Sequence, residues 1–388
     1  MKPIRTAVIG VGNMGSAHAS CIAGGRIEGL ILSALCDLSP DRQAYCRKKY
    51  PDIPCFASVE ELVHSGAADA VIVATPHPCH SVVAMQALAA GLDVLVEKPV
   101  DVSLSKAQSL CDAADRSGRT FAVMLNQRTN PLFRKAREIV QSGQLGELKR
   151  TVWIITNWYR TQHYYDSGSW RATWAGEGGG VLLNQAPHNL DLWQWICGMP
   201  QSVTAYCDVA HYHRIEVEDD ATIFTRYANG ATGVFITTTG DAPGTNRLEV
   251  TGTKGSLICD YDGLIFKKLA VDEREWCVTC QEGFRKPDCE TIMVETDGAN
   301  PQHSGVLNAF AAHIADGAPL VADGREGING LMLSNAIHLS AWTGETVSLP
   351  IDEKKFYDML MEKCKTSRHK EEVDLTEDTS GSYGSKVK

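Results

Sequence analysis

A short apolar run, Ile4 to Ile9, passes directly into Gly10-Val11-Gly12-Asn13-Met14-Gly15 and then into a helix-compatible stretch ending near Ala23. A strand that empties into G-x-G-x-x-G and feeds a helix predicts the first turn of a dinucleotide-binding βαβ unit. One glycine makes the tight turn, one lets the backbone approach a pyrophosphate, and one lets the helix pack on the strand. The helix N-terminus then offers unbonded N–H groups to the anion. On this reading Gly10, Gly12, Asn13 and Met14 touch the cofactor. Asp37, at the end of the next apolar run, accepts from a ribose hydroxyl and repels a 2′-phosphate, which favours NAD over NADP. Arg42 is the residue that could reach a phosphate instead.

The rhythm set by the first unit continues. Apolar runs at 30–36, 70–74, 93–96 and 121–125 alternate with helical stretches at 40–49, 58–65, 81–90 and 103–117. That alternation predicts a parallel sheet covered by helices on both faces, a Rossmann domain over residues 1–125. After Asn126 the pattern changes. β-like runs at 148–157, 202–210, 220–228, 231–239, 246–252, 256–260 and 263–268 are divided by turn signals such as Ala228-Asn229-Gly230. Helices are expected at 131–142, 188–197, 302–315 and 325–341. The fold class is therefore α/β, with an N-terminal Rossmann domain and a C-terminal α+β domain. The latter spans 126–365 around a large, mostly antiparallel open sheet for substrate binding and oligomerisation. Residues 366–388 are charged and Ser/Gly-rich, and read as a flexible polar tail.

Bulk properties remove several classes. The formal net charge is −10, with no basic block outside the tail, so a nucleic acid would be repelled. No apolar run reaches membrane-spanning length. Glycines by position 10 leave no room for a secretory core, so a cytoplasmic location is expected. The 13 cysteines are scattered. The one close pair, Cys277 and Cys280, has no second pair or nearby histidines to complete a zinc set, and His211 with His213 on one strand face lacks a third ligand. No metal is expected.

Two further motifs lie at strand ends, where open parallel sheets bind ligands: Ala74-Thr75-Pro76-His77 with His80, and Glu97-Lys98-Pro99. Together with the glycine loop, His18 and the stretch from Gly178 through Asn184, His188 and Asp191, they make the chain resemble the Gfo/Idh/MocA oxidoreductases almost up to its tail. The resemblance implies that Lys98 and His188 are catalytic. The strand-end positions make Thr75, His77, His80, Glu97, Lys98 and Asn126 candidate cofactor contacts, with capping and packing of the next helix the favoured role for His77 and His80. Many members carry an aspartate four residues before the histidine; here Asn184 stands in its place and can orient substrate but cannot exchange a proton.

The chemistry that follows is oxidation of a secondary alcohol. A histidine near neutrality suits the proton and an ammonium suits the developing alkoxide. Aromatic and arginine side chains between Asn157 and Arg171 suit a polyhydroxylated ring, so Tyr159, Arg160, Trp170 and Arg171 join Asn184 as candidate substrate contacts. The expected substrate is a sugar, an inositol or a glycoside, the last possibly oxidised at C3 with recycled cofactor. A redox-neutral glycosidase working by oxidation and elimination is one alternative; a non-catalytic NAD-binding regulator is another. The open sheet points to a homodimer or homotetramer.

Overall fold

The computed structural model describes residues 3–368 and Lys370. The first unit runs β1 (Ile4–Ile9), α1 (Asn13–Ala23), β2 (Leu30–Cys36), α2 (Pro40–Lys49), β3 (Cys55–Phe56), α3 (Val59–His64), β4 (Ala70–Val73), α4 (His80–Ala89), β5 (Asp93–Val96), α5 (Leu104–Ser117) and β6 (Phe121–Val123). Its strands are parallel, in the order β3-β2-β1-β4-β5-β6. Every residue of β4, β5 and β6 is buried, which is why they read as continuous apolar runs. The strand order reverses between β1 and β4, and a ligand crevice opens beyond their carboxyl ends. The Ala74 N–H donates to the Ile9 carbonyl at 2.8 Å, so the glycine loop and the Thr75 turn lie side by side.

The second unit runs α6 (Pro131–Gln141), β7 (Leu148–Ile155), α7 (Gln162–Asp166), α8 (Trp174–Glu177), α9 (Pro187–Cys197), β8 (Ser202–Val209), β9 (Glu218–Arg226), β10 (Thr232–Thr238), β11 (Asn246–Gly252), β12 (Gly255–Asp260), β13 (Gly263–Leu269), α10 (Glu273–Thr279) and β14 (Cys289–Met293). It ends with α11 (Gln302–Asp316), α12 (Gly327–Thr343), β15 (Val347–Ser348) and α13 (Glu353–Lys365). Nine strands pair in the order β14-β13-β12-β11-β7-β10-β9-β8-β15. All pairs are antiparallel except β7 with β10. In β9, Ala221, Ile223 and Thr225 are buried while Thr222, Phe224 and Arg226 are exposed, the alternation of a sheet covered on one face. The cover is α6, α9 and α12: Phe133 packs 5.7 Å from Trp153, the Trp193 indole donates to Thr151 Oγ1 at 2.8 Å, and Ser340 Oγ accepts from the Ala205 N–H at 3.0 Å.

Three local readings change. The chain does not stay in the second unit after Asn126: Val306, Leu307, Phe310 and Ala311 of α11 pack with Val8, Ile22 and Leu35, and Ala122 bridges to Asp323. The apolar face of α11 completes the cover of the first sheet. His211 and His213 are not on a strand, because β8 stops at Val209 and the buried Asp219 carboxylate gathers the N–H groups of His211, Tyr212 and His213 into a bend. Most of the segment 366–388 lies outside the described residues, but its beginning is anchored. The Arg368 N–H donates to Glu216, and Lys370 Nζ donates to the carbonyls of Tyr165 and Arg171 at 2.8 and 2.9 Å. Among the described residues no helix is long and apolar enough to cross a membrane, and no group of three His, Cys, Asp or Glu is placed to hold a metal ion.

Candidate active site

The glycine loop has three different reasons for its three glycines. Gly10 has φ +86°, and a Cβ there would lie 2.7 Å from the Ala74 backbone. At Gly15 a Cβ would lie 1.8 Å from the Gly10 carbonyl. At Gly12 it would meet nothing within 4 Å: the space is open, and α1 begins there with no side-chain cap, leaving its N–H groups for an anion. The buried Thr75 Oγ1 and Asn126 Oδ1 have no partner among the described residues. Open space, free donors and unpartnered polar atoms at one strand-end crevice fit a dinucleotide. Asp37 holds the loop, accepting from the Val11 and Ser39 N–H groups at 2.7 and 2.9 Å. Arg42 is clamped on the same loop, donating to the Val11 carbonyl and to Ser16 Oγ, with its guanidinium 4.6 Å from the Tyr45 ring.

Two of the candidate cofactor contacts are engaged within the protein. His80 has both ring nitrogens 2.7 Å from carbonyls, those of Pro99 and Thr75, so it ties the two strand-end turns together. Glu97 Oε1 meets His18 Nε2 at 2.7 Å and Oε2 accepts from the Lys98 N–H. Burial would raise the Glu97 carboxyl, but His18, with help from His303 and Lys98, holds it at about 2. Both residues fix the Thr75 and Lys98 turns. Asn126 Nδ2 bonds Gln302 Oε1 at 2.7 Å, so α11 also supports this end of the crevice.

Lys98 leaves β5 and reaches across to the second unit, where Nζ donates to the Asn184 carbonyl at 2.7 Å. Burial pushes its ammonium down; Glu97 and Glu177 oppose that, and Arg171 and Arg160 add to it. His188 stands in the first turn of α9 with Nδ1 buried and unpartnered among the described residues. Burial and then the Lys98 charge hold the imidazole neutral, the form a general base needs. The glycine run before it is set by Glu218, whose Oε1 accepts from the Gly180 and Leu182 N–H groups. Asp191, one turn beyond His188, is engaged elsewhere: Arg128 binds it through two N–H groups at 2.8 and 2.7 Å.

The wall from 157 to 171 is one stack. Trp170 meets His77 edge-on at 5.3 Å, bringing the two units together, and His77 Nδ1 lies 3.2 Å from the Glu177 carbonyl. Arg171 lies over Trp170 at 4.6 Å and over Tyr164 at 4.5 Å, and Arg160 lies over Tyr164 at 5.0 Å. Tyr159 is at the exposed rim.

Glu177 is the residue that sequence reasoning missed. Its carboxylate is buried, accepts from the Ala172 N–H at 2.6 Å, and is bonded by the Asn184 side-chain amide. The site thus has a carboxylate beside Asn184, supplied from seven residues upstream. A charged residue set between Trp174-Ala175-Gly176 and Gly178-Gly179-Gly180 was the available signal.

Burial, with Glu218 adding and Arg171 opposing, lifts the Glu177 carboxyl from 4.5 to about 7. A group raised by folding contributes stability below its unfolded value, lost as pH rises through the folded one. Glu177→Gln is therefore expected to exceed the parent's stability by up to about 3 kcal/mol near pH 8 and to match it near pH 4. Denaturant unfolding at the two pH values reads this; an equal gap at both would refute it. The glycine loop gives a second expectation. Gly12→Ala should fold like the parent yet lose NAD, because the methyl group occupies the open space. Gly15→Ala should lose about 1–3 kcal/mol of stability even without cofactor. Thermal melts with and without NADH separate the two.

Two family models match, one described as an oxidoreductase family with an NAD-binding Rossmann fold over residues 4–125, the other as the GFO/IDH/MocA C-terminal domain over 133–258. An uncharacterised oxidoreductase of Schizosaccharomyces pombe is 29% identical over 265 residues, 66% of this chain and 71% of that protein. The myo-inositol 2-dehydrogenase of Thermotoga maritima is 25% identical over 351 residues, 89% of this chain and 98% of that protein. Among curated relatives the share of the other protein spanned varies, from 43% to 98% in the matches at hand. The WlbA dehydrogenase from Bordetella pertussis, solved with NADH and UDP-GlcNAcA, superposes with a TM-score of 0.75 at 27% identity, covering 90% of this chain and 100% of that one.

Proposed function

Because the chain belongs to the Gfo/Idh/MocA oxidoreductases, with an NAD-binding Rossmann domain, we propose that it oxidises a secondary hydroxyl of a sugar, inositol or glycoside, or reduces the matching ketone. The observation that carries this reading is the meeting of Lys98 and the His188 region at the domain junction, with Lys98 Nζ on the Asn184 carbonyl and His188 Nδ1 unpartnered. NAD, when bound, supplies the hydride acceptor. The neutral His188 imidazole takes the hydroxyl proton and returns it in the reverse direction. Lys98 donates to the reacting oxygen and stabilises its developing charge. Glu177 and the Asn184 amide hold the turn between them. The Trp170–Arg171–Tyr164–Arg160 stack offers flat faces and N–H edges to a ring with hydroxyls. Relatives named for myo-inositol oxidation and solved with a nucleotide sugar support the carbohydrate class. The reading extends to a cytoplasmic protein and to a homodimer or homotetramer, the assembly being supported by the exposed Tyr206 and Phe224 on the uncovered sheet face.

The test mixes the protein and NAD with inositols, free sugars and aryl glycosides, following NADH absorbance and product mass. NADH together with a product two mass units lighter is the expected result. The lighter product without free NADH would mean a retained cofactor recycled by a second keto-sugar. Aglycone release without net NADH would replace the proposal with the eliminating glycosidase, and silence across the panel would favour the regulator.

A further inference from the structure

We infer that the sugar taken by this cleft carries a carboxylate, and that Arg160 and Arg171 receive it; this rests on the carbinol-oxidising reading above. Both arginines are pinned by their backbones. Arg160 donates its N–H to the Thr239 carbonyl at 3.0 Å, and its own carbonyl meets His213 Nε2 at 2.9 Å. Arg171 has its carbonyl held by Lys370, and the next N–H, that of Ala172, is held by Glu177. Their guanidinium groups both lie against one ring, Tyr164, at 5.0 and 4.5 Å from its centre.

Each arginine spends little of its donor capacity within the protein. Arg160 gives one nitrogen, Nη1, to the Tyr159 carbonyl at 2.9 Å, with a longer contact to the Trp158 carbonyl, and Arg171 gives Nη1 to the Tyr164 hydroxyl at 2.8 Å. A guanidinium has five N–H donors. Among the described residues neither arginine has a carboxylate within ion-pair distance, whereas Arg5, Arg128, Arg247 and Arg325 all do. Glu177, which faces Arg171, has its oxygens on the Ala172 N–H and the Asn184 amide.

The electrostatic balance points the same way. In a chain with net charge −10, this one cleft gathers Lys98, Arg160 and Arg171; the buried Glu97 and Glu177 act on the Lys98 amine more strongly than the arginines do, and Glu177 also acts on Arg171. Glu97 and Glu177 answer Lys98 first, and Arg160 has no carboxylate of its own among the described residues, so the outer arginine end of the cleft is where a further anion would be favoured. A neutral sugar would leave the spare arginine N–H groups without an anionic acceptor. A planar carboxylate on the same ring as the reacting carbinol would accept from those flat N–H edges.

The test uses the full chain saturated with NADH and compares matched pairs: glucuronate with glucose, galacturonate with galactose, and their methyl glycosides, with hexose 6-phosphates as a third arm. Binding is read by quenching of tryptophan fluorescence, since Trp170 stacks on Arg171, and turnover is read separately with NAD. The acid of at least one pair should bind about tenfold or more tightly than its neutral partner. Arg171→Gln and Arg160→Gln should bring that ratio toward one, and Arg171→Lys should restore part of it. Equal binding within every pair, binding by no acid, preference for the phosphates, or a ratio unchanged in the Gln variants would each overturn the inference. Oxidation of neutral sugars with a ratio of one would sink it while leaving the dehydrogenase reading intact. A tightly bound acid that is never oxidised would do the reverse.

Discussion

Lys98→Met is expected to lower kcat by about 10²- to 10³-fold on whichever polyol the panel identifies, while leaving the fold as stable as the parent or more so. The loss follows from geometry. Lys98 follows the end of β5 into the domain junction, and the contact of its Nζ with the Asn184 carbonyl sets it beside the His188 turn. A methionine fills the same volume but offers no donor to an oxygen that gains charge in the transition state. The stability expectation follows from the direction of the pKa. Burial pushes the Lys98 ammonium below its ordinary value, so the fold disfavours the charged form and holds it at a cost. Removing the charge relieves that cost. Activity assays and thermal melts on the same preparation check both halves. A variant that loses activity and stability together would show that Lys98 is a packing residue.

His188 makes a useful contrast. It is held neutral by the same burial and by Lys98 itself, so Lys98→Met should raise its basicity. The residual activity of the Lys98 variant should then depend on a group titrating at higher pH than in the parent. The two residues are electrostatically joined, and single substitutions report on the pair.

Much of this site was legible in the sequence because its parts are local. The strand before Gly10, the spacing of the three glycines and the endings of β4 and β5 each fall within a few consecutive residues, and buried parallel strands read as unbroken apolar runs. What escaped was non-local or short. β14 is mostly exposed and gains its strand form only from pairing with β13. α13 buries Phe356 and Leu360 one turn apart, a periodicity too brief to stand out beside its lysines. The return of α11 to the first sheet is a tertiary fact that no window of sequence contains. Glu177 lies in a glycine-rich turn where a carboxylate looks like surface; only the folded turn encloses it with the Ala172 N–H and Asn184.

Asp191 lies one turn beyond His188 yet is bound by Arg128, and it carries the other large expectation. Arg128, just after the junction between the two units, donates to both Asp191 oxygens and to Glu326 at 2.5 Å, with side-chain exposures of 1% for Arg128 and 3% for Asp191. Burial opposes the Arg128 charge, but its two carboxylate partners hold the guanidinium up. The cluster ties the junction turn to α9, one turn beyond His188, and to the start of α12. Arg128→Met would leave the Asp191 carboxylate enclosed with Gln194 as its one remaining side-chain partner among the described residues, and should cost about 3–5 kcal/mol. The pair adds little against an apolar replacement of similar shape, so Arg128→Met with Asp191→Leu should recover most of that loss. Chemical denaturation of the two variants separates these expectations: a double variant no more stable than the single one would mean that the ion pair is itself a net stabiliser. Because α9 carries His188, the single variant should also lose turnover, and the double variant should regain it only as far as the helix returns to its place.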